Sequence, residues 1–242
     1  QSFTRENGRV STYILWDIDG TLILGNSRAG ALYLDSIEQV TGVRPTVRVS
    51  NPHGMTEGQL LAEVLEVNGI DSGLLPDVLV RLDELSLAQH ESGEYPREAA
   101  PGTAAALEAF AERGWINALL TGNGPNRARY KVLAAGYSAD TFDWEHSYFG
   151  HESPTRHHLT ADAGNALAGH HAVIVGDTPK DGEAADSAGF PFLAVATGSF
   201  TADELRATNA VLVIDDFATG LDAAIDAIVA IDQSIGAASA RR

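Results

Sequence analysis

Leu15-Trp16-Asp17-Ile18-Asp19-Gly20-Thr21-Leu22 is the stretch whose reading decides the fold. An apolar, β-rich run over 13–16 delivers two carboxylates and then breaks at a glycine. Residues two apart on a strand share a face, so Asp17 and Asp19 can approach one point. A strand that ends in such a pair suits the crevice outside the carboxyl ends of a parallel sheet. Two carboxylates that close repel unless a cation or a shared proton separates them. An oxygen-rich site of this kind suits Mg²⁺. Asp-x-Asp-Gly also occurs in ordinary turns and in calcium loops. An EF-hand loop would need a further acidic residue and a closing glutamate, whereas Thr21-Leu22-Ile23-Leu24 follows here.

Outward from this stretch the pattern changes. From 29 to about 90 the spacing predicts helices and no strand. Ala29, Leu32, Tyr33, Ile37 and Val40 follow a helical period that stops at Gly42. Thr56 is placed to cap a second helix whose apolar positions are Leu60, Leu61, Val64 and Leu65, with Gly69 at its end. A third is expected over 75–89, with Pro76 in its first turn. From Pro101 strands and helices alternate. Helices are expected over 103–113, 125–135, 156–168, 181–188 and 221–231. Strands are expected over 115–120, 142–147, 171–175, 192–196 and 211–214. Alternation of this kind implies a doubly wound parallel α/β sheet. Right-handed crossovers then put every strand's carboxyl end on one edge. Asp17, Thr121 and Asp177 all fall at such ends.

Four stretches, in order, are similar to the motifs of the haloacid dehalogenase-like (HAD) hydrolases. Asp17-Ile18-Asp19-Gly20-Thr21 resembles the first motif. Ala118-Leu119-Leu120-Thr121-Gly122-Asn123 resembles the second, an apolar strand ending in a hydroxyl. Arg156, in Ser153-Pro154-Thr155-Arg156, falls where the third motif places its basic residue, and Lys131 is the alternative. Val173-Ile174-Val175-Gly176-Asp177-Thr178-Pro179-Lys180-Asp181 resembles the fourth. The resemblance spans about 13–214. It implies a Rossmann-like core over 10–25 and 97–234 and a small α-helical cap domain over 26–96, leaving 1–9 and 235–242 as flexible tails.

The resemblance also implies a chemistry: hydrolysis of a small phosphate monoester through an aspartyl-phosphate. Asp17 is the expected nucleophile. Asp19 is the expected general acid and base. Mg²⁺ would be held by Asp17, Asp177 and the backbone carbonyl of Asp19, offsetting carboxylate–phosphate repulsion. Gly20, Thr121, Gly122, Asn123 and Arg156 would hold the phosphate, the donors among them taking its non-bridging oxygens. Asp181, one helical turn beyond Asp177, is expected to orient a metal-bound water or Arg156. Simpler roles stand beside these: Thr121 as a helix cap, Arg156 as an exposed helix start, Asp181 as an acid favoured by the helix dipole. Lys180 reads as solvated surface. The pairs His157-His158 and His170-His171 point apart and read as non-ligands. His53 reads as a surface turn residue.

Within such a family, dehalogenases lack the second aspartate, so Asp19 argues against that activity. A phosphonate hydrolase needs a Schiff-base lysine in the cap, and none lies between Asp19 and Thr121. A sugar-phosphate mutase, with His53 or Arg48 reaching from the cap, stays open. A non-catalytic binding protein of this fold would be expected to lose Asp17, Asp19 or Asp177. Composition narrows the field further. The 242 residues allow one large or two modest domains, and there are no cysteines for disulfides or thiolate metal sites. A net charge of −17 argues against binding nucleic acid or an anionic membrane. No apolar run approaches the ~20 residues that span a bilayer, and 1–9 carry no signal-peptide core. The expectation is a cytoplasmic monomer or homodimer acting on a phosphorylated metabolite.

Overall fold

The computed structural model describes residues 10–25, 30–93 and 95–239, with side chains as far as 234. Six strands make one sheet: β1 (Thr12–Trp16), β2 (Ile116–Thr121), β3 (Tyr148–Phe149), β4 (His171–Gly176), β5 (Phe192–Val195) and β6 (Leu212–Ile214). Their order is β3-β2-β1-β4-β5-β6, and all five pairings are parallel. β1 lies in the middle, with Leu15 opposite Ala118 of β2 and Ile174 of β4. The chain works outward from β1 first to one side and then to the other. The carboxyl ends of β2, β1 and β4 therefore flank the point where strand order reverses, where sheets of this kind bind ligands.

Alternation along β1 sorts the core. Ile14 and Trp16 face one layer, with Leu107 and Phe110 of α4 (Thr103–Glu112), Ala128 and Val132 of α5 (Pro125–Ala134), and Ala224 and Ile228 of α9 (Phe217–Ser239). Tyr13 and Leu15 face the other, with Leu159 and Ala163 of α6 (Arg156–Ala166), Ala185 of α7 (Pro179–Ala188) and Leu205 of α8 (Ala202–Arg206). Strands covered on both faces read as continuous apolar runs, as Val173-Ile174-Val175 does.

Between β1 and β2 the chain inserts α1 (Ala31–Thr41), α2 (Glu57–Val67) and α3 (Leu75–Ser92). Ile37, Leu61, Val64, Leu65, Val78 and Leu82 form a core of their own. Thr56 caps α2, its hydroxyl accepting from the Gln59 amide at 3.1 Å, and Gly42 ends α1 at φ 72°. Ala29, the expected first apolar position, lies outside the described residues, as do 1–9.

Three expectations are corrected. The strand expected over 142–147 is only Tyr148–Phe149. The Asp143 carboxylate accepts from the amides of Glu145 (3.1 Å) and His146 (3.2 Å), which turns the chain where a strand was expected. The last helix, expected over 221–231, runs Phe217–Ser239. It starts early because Asp216 accepts from the Thr219 amide at 2.8 Å, and its Ala/Ile-rich sequence continues past Ile231. That helix enters the stretch expected to be a tail. α8 was not expected, although Thr201 and Glu204 form a capping box at its start. No helix among the described residues is long and apolar enough to cross a membrane.

Candidate active site

Asp17 follows β1 directly, and its amide still donates to Val175 O of β4 at 2.9 Å, so the sheet itself fixes the carboxylate. Asp177 follows β4 and accepts from the Thr21 hydroxyl at 3.2 Å. Two glycines make room for it. A Cβ on Gly20, which sits at φ +88°, would lie 2.3 Å from Asp177 Oδ2, and one on Gly198 would lie 1.7 Å away. Asp181 is locked at the start of α7 by a capping box with Thr178, its Oδ2 accepting from the Thr178 hydroxyl at 2.7 Å.

Asp17, Asp177 and Asp181 are all buried and offer oxygens within 4.8 Å of one another. Burial pushes the Asp17 carboxyl up to about 6, Arg156 opposing and Asp181 and Asp19 adding to the rise. Burial and then Asp17 push Asp177 up as well. Three buried carboxylates with too little positive charge form a set that a hard, oxygen-seeking dication would satisfy, so these residues fit Mg²⁺. The side chain that joins Asp17 and Asp177 in this set is Asp181, whereas Asp19 turns its carboxylate elsewhere.

Arg156, buried at the first turn of α6, is the cation of the cluster. Its Nη2 lies 3.2 Å from Asp17 Oδ1 and 2.5 Å from Asp181 Oδ1, and donates to Leu120 O at 3.0 Å. Even so, Arg156 Nε is buried without a hydrogen-bond partner among the described residues, and Asp181 Oδ1 has the Arg156 ion pair alone. An unsatisfied buried donor such as Arg156 Nε costs about 1–3 kcal/mol. Arg156 is thus no exposed helix start, and Asp181 both caps its helix and faces Arg156.

Asp19, its side chain 43 % exposed, is held by two residues. Lys131 Nζ lies 2.5 Å from Asp19 Oδ2, and the Asn123 amide nitrogen donates to the same oxygen at 2.8 Å. Loss of solvent would raise the carboxyl, but Lys131 and these hydrogen bonds outweigh it and hold it down to about 2. Asn123 also donates to Thr121 Oγ1 at 2.7 Å, tying the end of β2 to Asp19.

One pocket of about 400 Å³ takes in Asp17, Asp19, Gly20, Thr121, Gly122 and Asn123. Lys131, Arg156 and Asp177 line it too, so both candidate basic residues reach it, while Asp181 stands behind. Arg48 and His53 line it from the inserted segment. His53 is exposed and sets its ring edge-on to Phe200, with centroids 6.1 Å apart. Lys180 is not wholly solvated: its Nζ donates to Asn51 O at 3.1 Å.

Sequence reasoning missed the loop after β5, the partner of Lys131 and the seam to α2. Thr197 donates to Gly20 O at 2.6 Å and Gly198 packs on Asp177, signalled only by a Thr-Gly after a strand. Lys131 is the alternative to Arg156 in the sequence, but nothing local ties it to Asp19. The third is the seam to α2. Glu57 N donates to Gly122 O at 2.8 Å, and Gly124 N donates to Glu57 Oε2 at 2.7 Å. Gly122 must be glycine there, because a Cβ would stand 2.4 Å from Met55 O.

Known proteins bear on this geometry in two ways. Residues 152–220 match the family described as HAD-hydrolase-like. No curated protein sequence matches. Among solved structures, CbbY from Rhodobacter sphaeroides in complex with xylulose-1,5-bisphosphate is 17 % identical, with TM-score 0.64, covering 87 % of this chain and 96 % of its own. A hydrolase from Pseudomonas syringae is 16 % identical with TM-score 0.60, covering 89 % and 99 %. A HAD hydrolase of family IA, variant 3, from Entamoeba histolytica is 16 % identical with TM-score 0.60, covering 86 % and 94 %. At these identities the likeness is one of fold. The matched stretch contains Arg156, Asp177 and Asp181, and β1 and β2 bring the remaining motifs to the same sheet edge. Over 152–220 the chain is thus similar to the haloacid dehalogenase-like hydrolases, and its sheet has the fold of the solved structures it resembles.

Proposed function

We propose that this protein is a Mg²⁺-dependent phosphatase of small phosphate monoesters, acting through an aspartyl-phosphate on Asp17. The observation that carries the reading is the convergence of Asp17, Asp177 and Asp181 around the buried Arg156 guanidinium at the reversal point of the sheet. Mg²⁺ bound by Asp17, Asp177 and either the Asp19 carbonyl or Asp181 would neutralise the carboxylates and polarise the phosphoryl group.

The chain's own groups divide the work. An Asp17 oxygen attacks phosphorus while the bond to the alcohol oxygen breaks. The Thr121 hydroxyl, the Gly122 and Asn123 amides and Arg156 hold the non-bridging oxygens. Asp19 gives its proton to the departing alkoxide, then takes one from the water that attacks phosphorus, and phosphate and free Asp17 result. Lys131 holds Asp19 ionised, ready for the second half. The negative charge of a bound phosphate beside it favours the protonated form that the first half needs. In this reading the helices α1 to α3 are a cap over the site. A phosphorylated ligand accords with the CbbY complexes, one with phosphate and one with a sugar bisphosphate. The test is turnover of p-nitrophenyl phosphate with Mg²⁺, which excess EDTA should abolish. Undiminished turnover in EDTA would remove the metal from the mechanism.

A further inference from the structure

The pocket lining has two unlike parts. The strand ends and α6 supply Asp17, Thr121 and Arg156. The inserted segment supplies Leu34 of α1, Leu60 and Val64 of α2, and Val47, Val49 and Met55 between those helices. Several polar groups of the lining are already committed to protein partners. The Tyr33 hydroxyl donates to Glu57 Oε1 at 3.2 Å and accepts from Arg127 Nη2 at 3.3 Å. Glu57 also takes the Gly124 amide and the Arg127 guanidinium. Lys131 Nζ is shared between Asp19 and Asn123 Oδ1, 2.5 Å from each. Arg48, His53 and Ser199 also line the pocket and are exposed.

A polyhydroxylated leaving group would lose water from each hydroxyl it buries here and find few unspent partners. A hydrocarbon group loses nothing polar and gains the aliphatic wall. We propose that the alcohol this site releases is predominantly hydrocarbon, so that its substrates are aliphatic or aromatic monophosphates rather than sugar or polyol phosphates. The inference rests on the phosphatase reading of the same site, and it concerns the wall that the inserted helices supply.

The test compares esters of similar leaving-group reactivity: hexyl and benzyl phosphate against glycerol 3-phosphate and glucose 6-phosphate, all with Mg²⁺. The hydrocarbon esters should show kcat/KM higher by about tenfold or more, the scale on which apolar pockets discriminate. Equal or better turnover of the polyol esters overturns the proposal. Leu34→Gln and Leu60→Gln should each shrink the preference, and a preference indifferent to both would show that it does not come from this wall. Calorimetric binding of the four esters to Asp17→Asn separates the two readings. Tighter binding of the hydrocarbon esters with no turnover by the native enzyme would sink the catalytic reading and keep the wall's preference for hydrocarbon groups. Turnover with no binding preference would do the reverse.

Discussion

Glu57 and Arg127 form a buried ion pair across 70 residues of sequence, joining the start of α2 to the middle of the first half of α5. Arg127 is fully engaged: it donates to Ser86 Oγ of α3 at 2.6 Å and lies over the Tyr33 ring of α1, 5.1 Å from its centroid. The pair thereby fastens all three inserted helices to the loop after β2. Removing one member of a buried pair leaves the other charged and dry, which costs about 3–5 kcal/mol. Glu57→Ala should lose stability of that order in denaturant unfolding. Replacing both, as Glu57→Leu with Arg127→Met, should recover most of it, since no unpaired charge remains. A double variant as unstable as the single one would mean that the loss comes from the Gly124 amide and not from Arg127.

Arg156 and Lys131 should separate by function. Arg156 touches Asp17, so Arg156→Ala should cut kcat by about 10²–10³, as loss of a donor to a developing charge does. It should also weaken inhibition by inorganic phosphate. Lys131 holds Asp19 ionised for the hydrolytic half, so Lys131→Met should hurt esters with good leaving groups most, where hydrolysis of the phosphoenzyme is the slow step. Steady-state rates across phenyl phosphates of graded leaving-group acidity read both effects. If Arg156→Ala keeps full activity while Lys131→Met abolishes it, the third-motif assignment belongs to Lys131.

These two cations also show what the sequence could and could not carry. Arg156 was legible because it opens a helix just before an apolar strand ending in Gly-Asp, a local arrangement. Asp17, Thr121 and Asp177 were legible for the same reason: each ends a strand, and parallel topology brings strand ends together. Lys131 touches Asp19 across 112 residues, and Glu57 reads as an ordinary first-turn acid of a capped helix. Pairings of that kind depend on how the inserted helices dock on the sheet, which no local spacing encodes. The strand expected over 142–147 failed differently. Its aromatic residues mimic a β run, while the Asp143 carboxylate captures the backbone amides and bends it.

Magnesium should stabilise the protein, and more so at higher pH. The Asp17 carboxyl sits at about 6 in the folded chain against 3.8 as its ordinary value. A raised value means the fold prefers the protonated form. That contribution is complete below 3.8 and is lost as pH rises through 6. Asp177 shifts in the same direction. Mg²⁺ binds only the deprotonated carboxylates, so its stabilisation is small at pH 5 and grows by pH 8. Melting temperatures with and without Mg²⁺ at the two values check this. An equal gain at both would place the ion away from Asp17 and Asp177.

Nucleophile and acid–base group should part on the phosphoenzyme. Asp17→Asn removes the attacking oxygen, so no covalent adduct should form with any ester. Asp19→Asn leaves the nucleophile in place and keeps the backbone carbonyl at that position. It loses general-acid help, which contributes about 10²–10⁴-fold. The loss should shrink for esters whose leaving groups need little protonation. With such an activated ester the slow step becomes hydrolysis of the aspartyl-phosphate, which still needs a base to take the water's proton. Asp19→Asn should then accumulate phosphate on Asp17, seen as an increase in intact mass and mapped by peptide sequencing. An adduct on Asp17→Asn with none on Asp19→Asn would exchange the two roles, and an adduct on neither would make the attack by water direct.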